Sequence, residues 1–223
     1  MVLTESTKSM RRVRRSLRGE IGHLWASVFF APERAAPRTL LVTASERGEG
    51  VTQIVAGLGI VGAESNAELR ILLVDFNLRH PALARVLGVQ AGAGIAEVIR
   101  GEVPLSEAMC PTALSNLRLL PAGHRLDQPL GLLRSQALRE VLGDLAAQCD
   151  HVLIDAAAAN RYPDAQTLTG LVDGTILVTR AGETRRETVA EAKKRIEQNR
   201  GRLLGVVLNQ RRFPIPGFIY RRL

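Results

Sequence analysis

Residues 45 to 52 read Ser-Glu-Arg-Gly-Glu-Gly-Val-Thr. Glycines at that spacing let backbone N–H groups turn inward around an anion, and the hydroxyl of Thr52 falls where a divalent cation bound to that anion would sit. Leu40, Leu41 and Val42 precede the loop as an apolar run that reads as a buried strand, and Ile54, Val55 and Leu58 follow as the start of a helix. Strand, glycine-rich loop and helix form a phosphate cradle, because the helix N-terminus adds partial positive charge to the loop amides. One position sets what the cradle can do. Walker A loops place a lysine before the hydroxyl residue, bridging the β- and γ-phosphates, whereas this chain has Val51, with neither charge nor donor. Losing a charge-assisted hydrogen bond of about 1.5–3 kcal/mol weakens nucleotide binding roughly 10- to 150-fold. Phosphoryl transfer suffers more, since it rests on electrostatic stabilisation of the migrating group. The candidate nucleotide-binding residues are Arg47, Gly48, Glu49, Gly50, Val51, Thr52 and Gln53.

The elements around this loop follow from the apolar runs. Arg70 to Asp75 and His151 to Asp155 read as buried parallel strands that each end in an acid. In a doubly wound sheet the ligand lies beyond the carboxyl ends of the strands, so both carboxylates are expected to face the loop. Strands near 39–44, 70–75, 117–121, 151–155, 174–179 and 203–208 alternate with helical stretches, as a parallel sheet demands. The expectation is one α/β domain over residues 1–223, a doubly wound, mostly parallel, three-layer sandwich of the P-loop NTPase type. A basic N-terminal helix at about 8–30 and a basic C-terminal tail at about 210–223 flank it.

With these residues in place, the chain resembles the cytoplasmic bacterial tyrosine kinases of capsule and exopolysaccharide synthesis, a deviant-Walker P-loop family whose members work with a membrane-spanning chain-length regulator. The likeness runs from about Ser16 to Arg212. The family loop Pro-Gly-Glu-Gly-Lys-Ser is met by Arg47 to Thr52, and the signature Asp-x-Asp-Leu-Arg-x-Pro by Asp75-Phe76-Asn77-Leu78-Arg79-His80-Pro81. The resemblance implies Asp75 as catalytic base, and Thr52, Asn77 and Asp155 as the Mg²⁺ set, with Asn77 replacing an aspartate. Segments Gly94 to Gly101, Leu120 to Gly123, Pro129 to Leu133, Pro163 to Ala165, Val172 to Gly174 and Leu204 to Asn209 match in order.

Three departures concern activity. The phosphate lysine is gone, one metal carboxylate has become an amide, and the family's C-terminal tyrosine cluster shrinks to Tyr220, since Tyr162 is the only other tyrosine. The family's Glu-x-x-Arg-x-x-Arg interface motif aligns with Arg12, Arg15 and Arg18 and lacks its glutamate, which puts oligomerisation in doubt. The resemblance therefore implies a regulatory, catalytically impaired relative, with ATP or ADP and Mg²⁺ bound weakly or not at all. The alternative is an active ATPase or tyrosine autokinase in which Arg47 replaces the lysine, although a guanidinium is longer and planar. A partition or positioning ATPase is a third reading.

A dinucleotide fingerprint also occurs at Gly57-Leu58-Gly59-Ile60-Val61-Gly62. It lies inside the expected helix rather than at a strand-to-helix turn, so the small residues are expected to seat that helix against the sheet instead.

Composition bounds the rest. A chain of 223 residues with 46% hydrophobic content buries a substantial core in one α/β domain. Residues 1–40 carry eight Lys or Arg against three acids, residues 193–223 nine against one, and the middle thirteen against eighteen. Basic ends thus flank a slightly acidic body. Arg11, Arg14, Arg15 and Arg18 recur opposite the stripe of Val13, Leu17, Ile21, Leu24 and Val28. Two readings remain open: a helix packed on its own domain, or one that meets an anionic inner leaflet or the cytoplasmic segment of a membrane partner. Leu24 to Ala31 is too short to cross a bilayer, so the protein is expected to be cytoplasmic and at most peripheral. Cys110 and Cys149 lack metal spacing and suit reduced thiols, the four histidines show no metal spacing either, and no reading helix or aromatic platform supports nucleic acid. Pro214 and Pro216 forbid a regular helix in the tail.

Overall fold

The computed structural model describes residues 18–211 except 33–34, 125, 127–128 and 134. Among them, seven strands form one sheet: β1 Thr39–Ala44, β2 Ile71–Asp75, β3 Cys110–Pro111, β4 Leu117–Leu120, β5 His151–Asp155, β6 Gly174–Arg180 and β7 Leu203–Asn209. Their order is β3-β4-β2-β5-β1-β6-β7, parallel throughout except for β3 against β4. The helices are α1 over 18–29, α2 Val51–Ser65, α3 Leu83–Leu87, α4 Ile95–Ile99, α5 Leu105–Ala108, α6 Leu130–Leu133, α7 Gln136–Gln148, α8 Pro163–Thr169 and α9 Arg186–Gln198.

The central strands are continuous apolar runs because both sheet faces are covered. Leu41, Leu72, Val152 and Ile154 pack into a cluster with residues of α4 to α9. Leu40, Val42, Ile71, Leu73 and Leu153 pack on the other face with α1, α2 and α3. This is the expected doubly wound, mostly parallel α/β sheet. Strand β1 lies between β5 and β6, so the chain leaves it at the point where successive strands diverge to either side, and the glycine-rich loop opens into that crevice.

Two details differ from the sequence expectation. Helix α2 begins at Val51, not near Ile54, because the polar loop ends at Gly50 and gives no apolar period by which to see the first turn. The two-residue antiparallel strand β3 was not anticipated, being too short for any periodicity to register.

The dinucleotide-like glycines serve packing on two sides. A Cβ at Gly59 would lie 2.7 Å from Leu73 Cδ2, so α2 does sit close to the sheet there. Gly62 instead faces Trp25, and Gly57 faces Ile21, both of α1. Trp25 is buried, stacks on Phe29 at 4.1 Å between ring centroids, and meets His151 edge-on at 5.6 Å. For residues 18–29 the N-terminal helix is thus packed on its own domain, with Ile21 and Val28 buried and Leu24 partly so. Arg18 pairs with Glu64 at 3.1 Å on the surface, a contact of little energetic weight. The basic residues before Arg18 and the tail from Arg212 onward lie outside the described residues. No described helix is long and apolar enough to cross a membrane.

Candidate functional site

The loop between β1 and α2 takes its shape from two left-handed glycines, Gly48 at φ 85° and Gly50 at φ 93°. A side chain at Gly50 would be strained and would also run into the Asn209 amide. Glu49 lies between them, 2% exposed, with its carboxylate turned inward. One oxygen accepts from the Ser45 hydroxyl at 3.0 Å and the Glu46 N–H at 2.9 Å. The other accepts from the Arg180 N–H at 3.3 Å and from the Thr184 hydroxyl. The ends of β6 and β7 hold the loop from outside. Asn209 donates to the Glu49 carbonyl at 2.8 Å, Gln210 to the Gly48 carbonyl at 3.0 Å, and the Arg180 guanidinium to that same carbonyl at 2.9 Å. Sequence reasoning placed Glu49 in the loop and missed this latch, whose partners lie 131 to 162 positions away.

The loop walls a cavity of about 210 Å³. That is smaller than the roughly 300–1,000 Å³ of typical small-molecule pockets and suits a phosphate chain better than a whole nucleotide. Arg47 to Gln53 line it, as do Asn77, Asp155 and the Ala156 to Ala158 segment after β5. Val51 is the first residue of α2, half-buried, and packs on the apolar cluster beneath the loop.

Asp75 and Asp155 end adjacent strands and are paired in register. Their surroundings differ. Asp75, 1% exposed, is not on the cavity wall. Its oxygens accept the N–H groups of Asn77 at 3.1 Å, Ala82 at 2.9 Å and Leu83 at 3.0 Å, which caps the start of α3. Burial pushes its carboxyl up to about 6, against the pull of those three N–H groups. Asp155 is fully buried, and neither oxygen has a hydrogen-bond partner among the described residues. Burial first, then the Asp75 charge, raises its carboxyl well above the ordinary range; the Thr52 hydroxyl opposes this without reaching hydrogen-bond geometry.

An orphaned buried carboxylate beside a hydroxyl and an amide oxygen suits a hard cation. Asp155, Thr52 and Asn77 would hold Mg²⁺, and the ion would supply charge neutralisation for a bound phosphate. The set has a single carboxylate, and among the described residues no three His, Cys, Asp or Glu side chains gather to hold a metal.

The buried acids make a stability prediction. A carboxyl whose folded pKa is raised keeps its proton in the folded chain above pH 4, where the unfolded chain has lost it, so its contribution to stability falls as pH rises. His151, held below its ordinary range by burial, acts in the opposite sense, so the comparison must be with a variant. In chelator, Asp155→Asn is expected to be more stable than the parent at pH 8, with the gap in urea midpoint closing toward pH 4. A gap independent of pH would show that Asp155 is not a buried, proton-linked acid.

Arg79 does not reach the cavity. Its guanidinium pairs with buried Asp164 of α8 at 2.9 Å and lies over the Tyr162 ring at 4.7 Å. It ties the segment after β2 to α8, a contact across 85 positions that no local pattern reveals. Tyr220 lies outside the described residues.

No family model matches the chain. It is similar to the tyrosine-protein kinase YwqD of Bacillus subtilis strain 168, 27% identical over 183 residues, covering 82% of this chain and 76% of that protein. The tyrosine-protein kinase CpsD of Streptococcus pneumoniae is 29% identical over 174 residues, covering 78% of this chain and 76% of that protein. Among solved structures, the chimerical protein CapA2B2 superposes with a TM-score of 0.84 at 22% identity, over 96% of this chain and 93% of that one, a likeness of fold.

Proposed function

We propose that the chain, which is similar to bacterial tyrosine-protein kinases of the YwqD and CpsD type, is a regulatory, catalytically impaired member of that family acting in exopolysaccharide biosynthesis and export. Its work is binding. The partner is the cytoplasmic segment of a membrane-spanning chain-length regulator, and the basic ends of the single domain, residues 1–223, lie toward the anionic inner leaflet, which makes the protein cytoplasmic and peripheral at the inner membrane. The carrying observation is a loop with its two left-handed glycines and its latch in place, and an apolar side chain where a phosphate lysine would stand. Two further features support the reading. Asn77 stands at the cavity in place of a carboxylate, and the Asp75 oxygens are occupied by backbone N–H groups, which leaves that acid poorly placed as a general base.

A second reading, an active ATPase or tyrosine autokinase, has one observation in its favour. Arg47 is exposed and lines the cavity, so its guanidinium is free to turn toward a phosphate. Calorimetric titration of the purified protein with Mg²⁺-ATP and Mg²⁺-ADP separates the two. The impaired reading expects dissociation constants no tighter than about 1 mM, near 4 kcal/mol of binding. Micromolar binding that is lost in Arg47→Ala would replace it with the active one.

A further inference from the structure

Next to the loop cavity, and sharing Glu46, Arg47 and Glu49 with it, lies a second cavity of about 460 Å³. Four arginines border it: Arg47 from the loop, Arg161 from the segment after β5, Arg180 at the end of β6, and Arg185 immediately before α9. They come from three stretches of chain, Arg180 and Arg185 both standing on the connection from β6 to α9, so only the fold gathers all four.

Their donors are only partly spent. Arg161 Nε donates to Glu46 at 2.6 Å, and Arg180 Nη1 to Glu183 at 2.8 Å. Arg180 Nη2 is spent on the Gly48 carbonyl and its Nε is buried without a partner, while neither the Arg47 nor the Arg185 side chain makes a hydrogen bond or ion pair among the described residues. Helix α9, thirteen residues long, opens at this cavity with no side chain capping its first amides. Its terminus adds partial positive charge in the same direction.

We propose that this cavity, which adjoins the loop cavity and shares Arg47 with it, is a second oxyanion site that takes a phosphoryl group. A dianionic phosphate offers oxygens to several guanidinium forks at once, which a single carboxylate cannot. Three carboxylates border the cavity: Glu49 is buried and turned onto its own loop partners, and the other two are weak competitors. Glu46 is 33% and Glu183 48% exposed, and surface pairs of this kind hold their partners loosely. Two sources share the chemistry: the far phosphate of a polyphosphate ligand whose other end sits on the loop, or a phosphorylated side chain such as phosphotyrosine.

The test uses the full chain at low salt, titrated in turn with inorganic phosphate, tripolyphosphate and O-phosphotyrosine, and followed by calorimetry and by amide shifts. Saturable phosphate binding is expected to weaken roughly tenfold in Arg185→Ala, to be partly restored in Arg185→Lys, and to vanish in the Arg47→Ala, Arg185→Ala pair. Arg185 is exposed, so an unchanged thermal midpoint checks that the fold is intact. Tripolyphosphate binding far tighter than phosphate, and sensitive to Arg185→Ala, assigns the first source. Phosphotyrosine binding at least as tight as tripolyphosphate, with the same sensitivity, assigns the second. Absence of saturable phosphate binding, or binding indifferent to both arginine substitutions, overturns the site. Because the readout is free phosphate, nucleotide binding by the parent would overturn the impaired reading and leave this one standing.

Discussion

Val51→Lys is expected to bind Mg²⁺-ATP roughly 10- to 150-fold more tightly than the parent, the range set by one restored charge-assisted hydrogen bond of about 1.5–3 kcal/mol. Everything else such a loop needs is in position. Gly48 and Gly50 have the required backbone, and Asn209, Gln210 and Arg180 hold the loop carbonyls from outside. Thr52 follows on the first turn of α2 and shares the cavity with Asp155. The substitution also has a cost, because Val51 packs on the apolar cluster under the loop. A lysine stem covers much of the same surface with its methylenes, so the loss is about 1 kcal/mol or less. Calorimetry of parent and variant side by side reads the outcome directly. An unchanged affinity would mean that the loop, in spite of its shape, is not a nucleotide cradle in this chain. Catalysis is not expected to return with affinity. Asp75 remains tied to three backbone N–H groups and Asn77 remains an amide, so the single variant should bind without turning over at rates typical of kinases, about 1–100 s⁻¹.

The second large effect concerns the latch. Glu49→Ala removes an acceptor for the Ser45 and Thr184 hydroxyls and for the backbone N–H groups of Glu46 and Arg180. Each buried donor left unpaired costs about 1–3 kcal/mol, and water entering from the adjacent cavities offsets part of the sum. The expected net loss is about 3 kcal/mol, which for a chain of this size lowers Tm by about 6–12 °C. Glu49→Gln keeps one oxygen acceptor and should lose markedly less. Thermal denaturation of the three proteins checks the order. If Glu49→Ala melts with the parent, the carboxylate is not what sets the loop. The same variant made in the Val51→Lys background should lose the nucleotide affinity that lysine confers, because the loop amides would no longer be held in one arrangement.

The latch and the glycines shape a phosphate loop, and they surround a position where an apolar side chain, Val51, stands in place of a lysine. That is the physical content of the proposed impairment. Shape is carried by buried contacts whose loss would cost the fold several kcal/mol, whereas Val51 sits at the cavity and can change with little penalty to stability.

The sequence by itself determined the doubly wound sheet, because continuous apolar runs such as Leu40 to Val42, Ile71 to Val74 and Val152 to Ile154 can be buried only between two helical layers. It also located the loop, since glycines at 48 and 50 between a strand and a helix are a local pattern. Asp75 and Asp155 were legible as strand-end acids for the same reason, and the register does set them side by side. What each acid does was decided only in three dimensions. Asp75 is spent on the start of α3, while Asp155 is left without a partner. The inward turn of Glu49, the Trp25 ring over Gly62, the Arg79 pair with Asp164 and the four arginines of the second cavity likewise belong to the tertiary structure alone. Periodicity and motif spacing report on neighbours within a few turns of chain, whereas the Trp25, Arg79 and Glu49 contacts join residues from about 40 to more than 130 positions apart and the second cavity gathers arginines from three stretches. Burial then fixes the partners of each polar group and, through desolvation, its charge.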